Sequence, residues 1–245
     1  MRFPTTQWTL LARASLHGDA AARNALEELC KRYWCPLFGF IRGRGYSEAE
    51  AQDLTQDFLL HVLENSTLQR ADRQQGKFRS FLLGALVRFL CDQYDKRRAQ
   101  KRGGGLVHVE VDEVHEQLGN SDETAFTFDR EWACVILENA LLRVEEEWKS
   151  KKAIASFQVF RQFLPGAIAT PSYEDACQEI GLTVASFKSE LHRLRQRLKE
   201  VIRQEVGRTV SAPHEVEDEL LHFQQVLLDR SNEPNIRAKL LGPFS

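Results

Sequence analysis

Residues 172–206 constrain the fold more than any other stretch, because apolar residues recur there with helical spacing and one glycine interrupts them. Apolar residues at 173, 176, 177 and 180 predict one face of a short helix. Ser172 can cap its first turn, and Gly181 permits a tight bend at its end. Thr183 can cap a second helix, in which apolar residues recur every three or four positions from 184 to 201. The spacing therefore predicts two helices that meet at a sharp angle.

The second of these helices has a polar outer face with an excess of positive charge. That face consists of Lys188, Ser189, His192, Arg193, Gln196 and Lys199. A helix-turn-helix with a basic outer face is typical of DNA-binding proteins, in which the second helix enters the major groove. An ordinary helical hairpin with a solvated charged face has the same pattern. The stretch alone leaves both interpretations open.

Composition excludes several classes of function. The 245-residue chain has a net charge of −2, so its overall charge does not indicate nucleic-acid binding. Its five cysteines are scattered along helical patterns, which predicts reduced thiols and a cytoplasmic protein. No cysteine or histidine set has metal-ligand spacing, and no nucleophile motif or phosphate loop occurs. We therefore expect no metal, cofactor, small-molecule substrate or catalytic activity, and neither a signal peptide nor a membrane span.

The first hundred residues predict a helical domain. One helix begins near residue 19 and stops at Gly43, and Ser47 and Glu50 form a capping box that opens the next. Residues 65–77 lack periodicity and predict a loop, after which a third helix begins at Phe78. The second helix has an outward face that contains Asp53, Gln56, Asp57 and His61. Such a face is either solvated surface or the binding site of a protein partner.

Cations gather at the end of the third helix, after a stripe of phenylalanines. They are Arg88, Lys96, Arg97, Arg98, Lys101 and Arg102. We assign the phenylalanines to the core. Cations at the C-terminus of a helix stabilise its dipole. Cations near a mobile loop can also bind the phosphates of single-stranded nucleic acid, and we favour this second interpretation.

The middle of the chain predicts an acidic connector, and its end predicts one more helix. Residues 106–131 include eight acidic residues and only one basic residue. A segment of this composition does not readily pack into a core. Helices near residues 132–142 and 154–164 would support the helix-turn-helix. After a loop at 207–212, residues 213–229 predict an acidic amphipathic helix. It either folds back on Lys188 and Arg193 in competition with DNA, or extends the core through Leu220, Phe223 and Leu227.

Two of these segments resemble one family. DLTQDFLLHVL (residues 53–63) and FRSFLLGALVRFLCDQYDKRRAQKRGGG (78–105) resemble domain two of bacterial sigma-70 family sigma factors, above all the extracytoplasmic-function (ECF) group. SYEDACQEIGLTVASFKSELHRLRQRL (172–198) is similar to that group's domain four. The resemblance implies an all-α fold of two helical domains joined by a flexible acidic linker, with a C-terminal amphipathic helix. The expected boundaries are 1–102 for domain two, 103–127 for the linker, 128–208 for domain four and 209–245 for the extension.

The resemblance also implies a role for each candidate residue. Asp53, Gln56 and Asp57 match the face that binds core RNA polymerase. The loop 68–77 matches the segment that captures an unstacked base of the minus-ten element, and Arg79, Arg88, Lys96, Arg97 and Arg98 are candidates for DNA-backbone contacts. Lys188, Ser189, His192 and Arg193 match the positions that face the minus-thirty-five major groove, whereas Arg195, Arg197 and Lys199 would serve phosphates or solvent. Glu190 stands where an arginine is common, so the family's promoter preference does not carry over.

Together, these expectations predict that the protein is a transcription initiation factor. It would bind core polymerase, recognise the minus-thirty-five and minus-ten elements and assist promoter melting, while its linker occupies the basic nucleic-acid channel of the polymerase. Its partners would be core polymerase and promoter DNA, with an anti-sigma protein as a further candidate. The alternative is a stand-alone helix-turn-helix regulator, which would bind duplex DNA without the polymerase.

Overall fold

A computed structural model of the chain describes residues 20–64, 77–101, 122–150, 154–167 and 169–228. Within these ranges the regular structure is helical and no strand occurs, which confirms the all-α prediction. The helices are α1 (Ala20–Gly43), α2 (Glu48–Glu64), α3 (Phe78–Lys101), α4 (Asp122–Lys149), α5 (Ile154–Arg161), α6 (Tyr173–Ile180), α7 (Val184–Gly207) and α8 (Val216–Leu228). They belong to two compact units: unit 1 comprises Met1–Trp132 and Arg208–Glu215, and unit 2 comprises Ala133–Gly207 and Val216–Ser245.

Buried aromatic rings hold the helices of unit 1 together. The ring of Tyr33 in α1 lies 5.3 Å from that of Phe78 in α3. Phe58 in α2 lies 5.5 Å from Phe89, which is about three helix turns further along α3 than Phe78. All four side chains are buried. The assignment of these α3 phenylalanines to the core is therefore confirmed, and they are not available to stack on bases.

The start of α4 completes unit 1. The helix begins at Asp122, so residues 122–127, which the sequence placed in the linker, are helical. Phe128 is buried and meets Phe40 of α1 edge to face, with 6.4 Å between the ring centroids. Trp132 is buried as well. Large apolar residues thus order the end of a stretch whose acidity predicts a connector; residues 102–121 lie outside the described ranges.

Unit 2 is organised around the ring of Phe187, near the start of α7. Phe160 stacks on it with 4.5 Å between centroids, and Phe163 and Tyr173 meet it edge to face at 5.1 and 5.9 Å. Phe187 is completely buried. Offset or edge-to-face aromatic pairs add about 0.5–1.5 kcal/mol each beyond the area that they bury. The cluster therefore fixes α7 against α5 and α6.

The predicted caps of the helix-turn-helix are confirmed. Ser172 Oγ accepts a hydrogen bond from the backbone N–H of Asp175 at 3.0 Å. Gly181 has φ of 67°, the left-handed conformation that glycine adopts without strain, and its N–H donates to the carbonyl of Cys177. Thr183 Oγ1 accepts from the N–H of Ser186 at 3.2 Å. The turn between α6 and α7 is thus built by local hydrogen bonds.

The C-terminal extension forms a short 3₁₀ turn, Pro213–Glu215, and then α8, which packs on α7. Phe223 is buried, and Glu217 forms an ion pair with Arg203. The contacts of Lys188 and Arg193 are with other residues of unit 2, as described below. The packing of α8 therefore favours the prediction that it extends the core over the prediction that it covers the basic face of α7.

Glycines in two backbone conformations give a test of the helix-turn-helix geometry. We expect Gly181→Ala to lower the free energy of unfolding by about 1 kcal/mol, since a Cβ is strained in the left-handed region. Gly84→Ala is the matched control, because Gly84 lies within α3 and open space surrounds the position of its Cβ. That change should stabilise the chain by about 0.5–1 kcal/mol. Thermal denaturation of both variants measures the difference, and equal midpoints would contradict the observed turn.

Candidate polymerase and DNA interfaces

The start of α2 is fixed by the predicted capping box. The N–H of Ser47 donates to the Glu50 carboxylate at 3.0 Å, and the N–H of Glu50 donates to Ser47 Oγ at 3.3 Å. The helix then buries Ala51, Leu54 and Phe58 in unit 1. This register leaves the opposite side of α2 to solvent.

The acidic face of α2 consists of Asp53, Gln56 and Asp57, and all three side chains are exposed. Leu60, which is 46% exposed, continues the same face because it follows Gln56 and Asp57 by four and three residues. Protein-binding surfaces commonly have an apolar centre and a polar rim. Sequence analysis missed Leu60; its signal was a leucine outside the core register of α2.

At the basic end of α3, the structure describes the side chains of two of the cations predicted to contact DNA. Arg88 and Lys96 are exposed. Tyr94 lies between them in sequence and is 45% exposed. A base can stack on such a ring while cations contact the backbone, and sequence analysis did not single this residue out. The side chains of Arg97 and Arg98, and the loop residues 68–76, lie outside the described part of the chain.

Arg79 does not fit the predicted DNA-backbone contact. Its side chain is 9% exposed, and Nη1 donates to Asp129 Oδ1 at 2.6 Å. The guanidinium also lies over the ring of Trp132, 5.3 Å from its centroid. A buried charge needs a partner, and breaking this pair to reach a phosphate would leave Asp129 uncompensated. The sequence could not reveal this role because the partner is 50 residues away.

The outer face of α7 carries the predicted recognition residues. Lys188, Ser189, His192 and Arg193 are all exposed, whereas Leu191 and Leu194 on the other side are buried. The structure thus brings the four residues together on one surface of the second helix of a helix-turn-helix. In DNA-binding helix-turn-helix proteins, the second helix is the one that enters the major groove.

Comparison with known proteins gives the family. The model that describes ECF sigma factors matches residues 6–204 of the chain. The chain belongs to the ECF sigma factor family. It is therefore a DNA-binding and polymerase-binding factor of transcription initiation, and the stand-alone regulator is not supported. No curated protein and no solved structure matches it.

Glu190 pairs with Arg193, an exposed cation on the outer face of α7 in this sigma factor. Arg193 Nη2 donates to Glu190 Oε1 at 3.0 Å, and the two side chains are 68% and 24% exposed. The Lys188 ammonium lies 5.2 Å from the centroid of the Tyr173 ring. Both cations are therefore held near the outer face of α7 by neighbours within unit 2. The Glu190 carboxylate therefore lowers the net positive charge presented beside Arg193.

Arg195 and Arg197 of the sigma factor hold the helices of unit 2 together, which corrects their assignment to phosphates or solvent. Arg195 donates to the carbonyl of Phe163 at 3.0 Å. Arg197 donates through Nε and Nη2 to both carboxylate oxygens of Glu147, each at 2.7 Å, and through Nη1 to Glu200 at 2.8 Å. Hydrogen bonds to Glu147 and then Glu200 raise the pKa of the Arg197 guanidinium. These contacts tie α7 to α4.

Burial affects two of the five cysteine thiols. None of the five, all of which lie in the described ranges, forms a disulfide, and burial raises the pKa of the Cys30 and Cys91 thiols, which favours their neutral form. No group of three or more His, Cys, Asp or Glu side chains within the described ranges could hold a metal ion. In the same ranges, no helix combines the length and the apolarity that a membrane span requires.

Arg197 gives a test that separates structural from DNA-binding arginines. We expect Arg197→Ala to lower the free energy of unfolding by about 1 kcal/mol, because Glu147 loses both of its hydrogen bonds to this residue. This value is at the upper end of the range for ion pairs that are partly exposed. The salt dependence of promoter binding should stay unchanged. Denaturation midpoints and binding titrations over a salt series measure both quantities. A clear decrease in the salt slope would show that Arg197 does contact phosphate.

Proposed function

We propose that this sigma factor directs core polymerase to promoters by reading two DNA elements with separate surfaces. The outer face of α7 reads the minus-thirty-five element, and α3 with the preceding loop 68–77 binds the minus-ten element. The observation that carries the proposal is the exposure of Lys188, Ser189, His192 and Arg193 on a helix whose opposite side is buried around Phe187. The division into domain two (1–102), linker (103–127), domain four (128–208) and extension (209–245) is part of the proposal.

Base discrimination would come from the centre of the α7 face. Arg193 carries donors in a fork that matches guanine O6 and N7, and such a bidentate contact discriminates by about 1–3 kcal/mol. Glu190, at 3.0 Å from Arg193, adds an acceptor that suits the N4 amine of cytosine. Lys188 and His192 would contact neighbouring bases or phosphates. The promoter preference would therefore differ from that of relatives with arginine at position 190.

Promoter melting would depend on unit 1. Extruding a base from the duplex costs a few kcal/mol, which a pocket in the loop 68–77 and the exposed cations Arg88, Lys96, Arg97 and Arg98 would offset. The ring of Tyr94 offers a platform for an unstacked base. The polymerase performs the chemistry in the cytoplasm, so the sigma factor itself needs no cofactor and no catalytic group. An anti-sigma protein would act by covering these same faces.

Run-off transcription tests the proposal most directly. Purified core polymerase with the full chain should start transcripts at discrete sites in a genomic template library, and core polymerase alone should not. The chain without core polymerase should bind duplex promoter DNA weakly. Tight, specific binding of duplex DNA by the chain alone, without transcripts, would favour an operator-binding regulator.

Docking on the polymerase can be tested at the acidic face of α2. Replacement of Asp53 and Asp57 by lysine should abolish co-elution with core polymerase, because the charge of the face is reversed while the buried side of the helix is unchanged. Replacement of the exposed pair Asp92 and Asp95 of α3 by lysine introduces the same charge elsewhere in unit 1 and should leave co-elution intact. Helical content by circular dichroism should be unaffected in both. Co-elution of the first double variant would rule out this face.

Promoter reading can be tested with two cations of α7. Arg193→Ala should cost about 1–3 kcal/mol on the preferred promoter and relax the preference at one base pair. Lys199→Ala should weaken binding evenly across sequences and reduce the salt slope by about one. Competition binding by the polymerase complex over a library of minus-thirty-five sequences distinguishes them. An even loss for Arg193→Ala would make it a phosphate contact.

A further inference from the structure

The turn that ends α1 in unit 1 carries an arginine whose position is fixed by local structure. Arg44 follows the last residue of α1, and Gly45 after it has φ of 85°, a left-handed conformation that ends the helix. The backbone N–H of Arg44 donates to the carbonyl of Ile41 at 3.1 Å. The backbone from which the Arg44 side chain extends is therefore held by the helix end.

The guanidinium of Arg44 is held against the core of unit 1. It lies over the ring of Phe40, 4.3 Å from the centroid, and Phe40 itself is buried. Arg44 is half-buried, and its Nε is buried without a hydrogen-bond partner in the described part of the chain. Because stacking on a buried ring restricts the side chain, the guanidinium loses little conformational entropy when it binds a ligand.

The charge of Arg44 is not offset by a carboxylate within the described ranges. The titratable groups that act on its guanidinium are the Cys91 thiol and the Tyr46 phenol. Asp92 and Asp95 act on the same thiol, but neither is among the groups that act on Arg44. Burial lowers the pKa of Arg44, because the charged form loses part of its hydration. An anionic ligand would offset this loss.

Arg44 also lies next to the part of α3 that we propose contacts DNA. Its guanidinium interacts electrostatically with the thiol of Cys91, which is buried in α3. Arg88 and Tyr94, three residues before and three after Cys91, are exposed on the same side of that helix. The candidate phosphate contact and the candidate stacking ring thus flank the residue that Arg44 approaches.

We propose that Arg44 binds a phosphodiester group of the minus-ten DNA and so extends the DNA-binding surface of unit 1 from α3 to the end of α1. The guanidinium fork matches two oxygens of one phosphate. Nucleic acid fits this site better than a protein carboxylate does, because a second arginine and an exposed aromatic ring flank it. The proposal rests on the proposed function, since DNA reaches this side of unit 1 only if α3 binds the minus-ten element.

The salt dependence of promoter binding tests the contact with the full chain in complex with core polymerase. Arg44→Gln should weaken binding about tenfold at low salt, because a charge-assisted hydrogen bond is lost. It should also lower the salt slope by about 0.7–0.9, the value of one phosphate contact. Lys31→Gln is the matched control, because it removes an exposed charge of α1 that already pairs with Glu27 at 2.7 Å. That variant should match wild type, and an unchanged slope for Arg44→Gln would overturn the proposal.

Neutral methylphosphonate groups identify the phosphate itself. Each phosphate of the minus-ten region is replaced in turn, on a promoter mapped by run-off transcription. One replacement should weaken wild-type binding about tenfold and have no further effect on Arg44→Gln, because both changes remove the same contact. Arg44→Lys keeps the charge but loses the fork, so it should retain the salt slope and reduce the effect of that one replacement. Equal effects of every replacement on the wild type and both variants would overturn the proposal.

Two other roles of Arg44 predict different results. If it only covers Phe40, Arg44→Gln would lower the midpoint of thermal denaturation and leave the salt slope unchanged. If it pairs with a carboxylate of the polymerase, Arg44→Gln would weaken binding to core polymerase in the absence of DNA. We expect the affinity for core polymerase to be unchanged, and either of these two results would overturn the proposal.

The two proposals fail in different ways. If no run-off transcripts form with the wild-type chain, the proposed function is wrong and the Arg44 proposal falls with it. If transcripts form and Arg44→Gln keeps the wild-type salt slope, the proposed function stands and the Arg44 proposal alone is overturned.

Discussion

The burial of Phe187 is the interaction on which the proposed DNA-reading surface of this sigma factor depends. The ring is enclosed by Phe160, Phe163 and Tyr173, and it sits one residue before Lys188 on α7. Because side chains of a helix rotate together about its axis, fixing this one residue fixes which residues face solvent. The caps at Ser172 and Gly181 then set the angle at which α6 meets α7. The set of side chains that α7 exposes is thus determined by the aromatic packing beneath them.

A second constraint acts in unit 1, where a charge is buried. Arg79 lies at the start of α3 and is matched by Asp129 of α4, at 2.6 Å. An arginine held inside a unit is stable only with a partner of opposite charge, so an acidic residue near position 129 is required by packing as well as by solubility. Part of the acidity that marks the middle of the chain as a connector therefore has a structural cause.

The local features of the fold could be predicted from the sequence, and the pairings between distant residues could not. Caps at Ser172, Thr183 and Ser47 depend on neighbours within four residues, and their geometry follows from residue type. The roles of Arg79 and Arg197 depend on carboxylates 50 residues away, which a single sequence does not connect. The helical start of α4 at Asp122 escaped prediction for a similar reason. Its acidic composition predicts a chain in solvent, whereas Phe128 and Trp132 order it by burial in unit 1.

The same distinction applies to the candidate interfaces. Helical periodicity predicted the exposed sets on α2 and α7, because both depend on one helix and its buried side. It did not reveal that α8 would pack on α7 near Arg203, or that Arg208–Glu215 would belong to unit 1. Reversals of chain direction and returns to an earlier unit are properties of tertiary packing, and no local pattern in the sequence marks them.

Under the proposed function, the pair formed by Glu190 and Arg193 has a consequence for how the sigma factor distinguishes a promoter from the rest of a genome. A cation that already has a carboxylate at 3.0 Å brings little net charge to any phosphate, so it adds little to sequence-independent attraction. Its hydrogen-bond donors remain available to a guanine edge, where geometry matters more than charge. Since non-target sites outnumber promoters enormously, an arginine balanced in this way improves the ratio of correct to incorrect binding even when it lowers affinity overall.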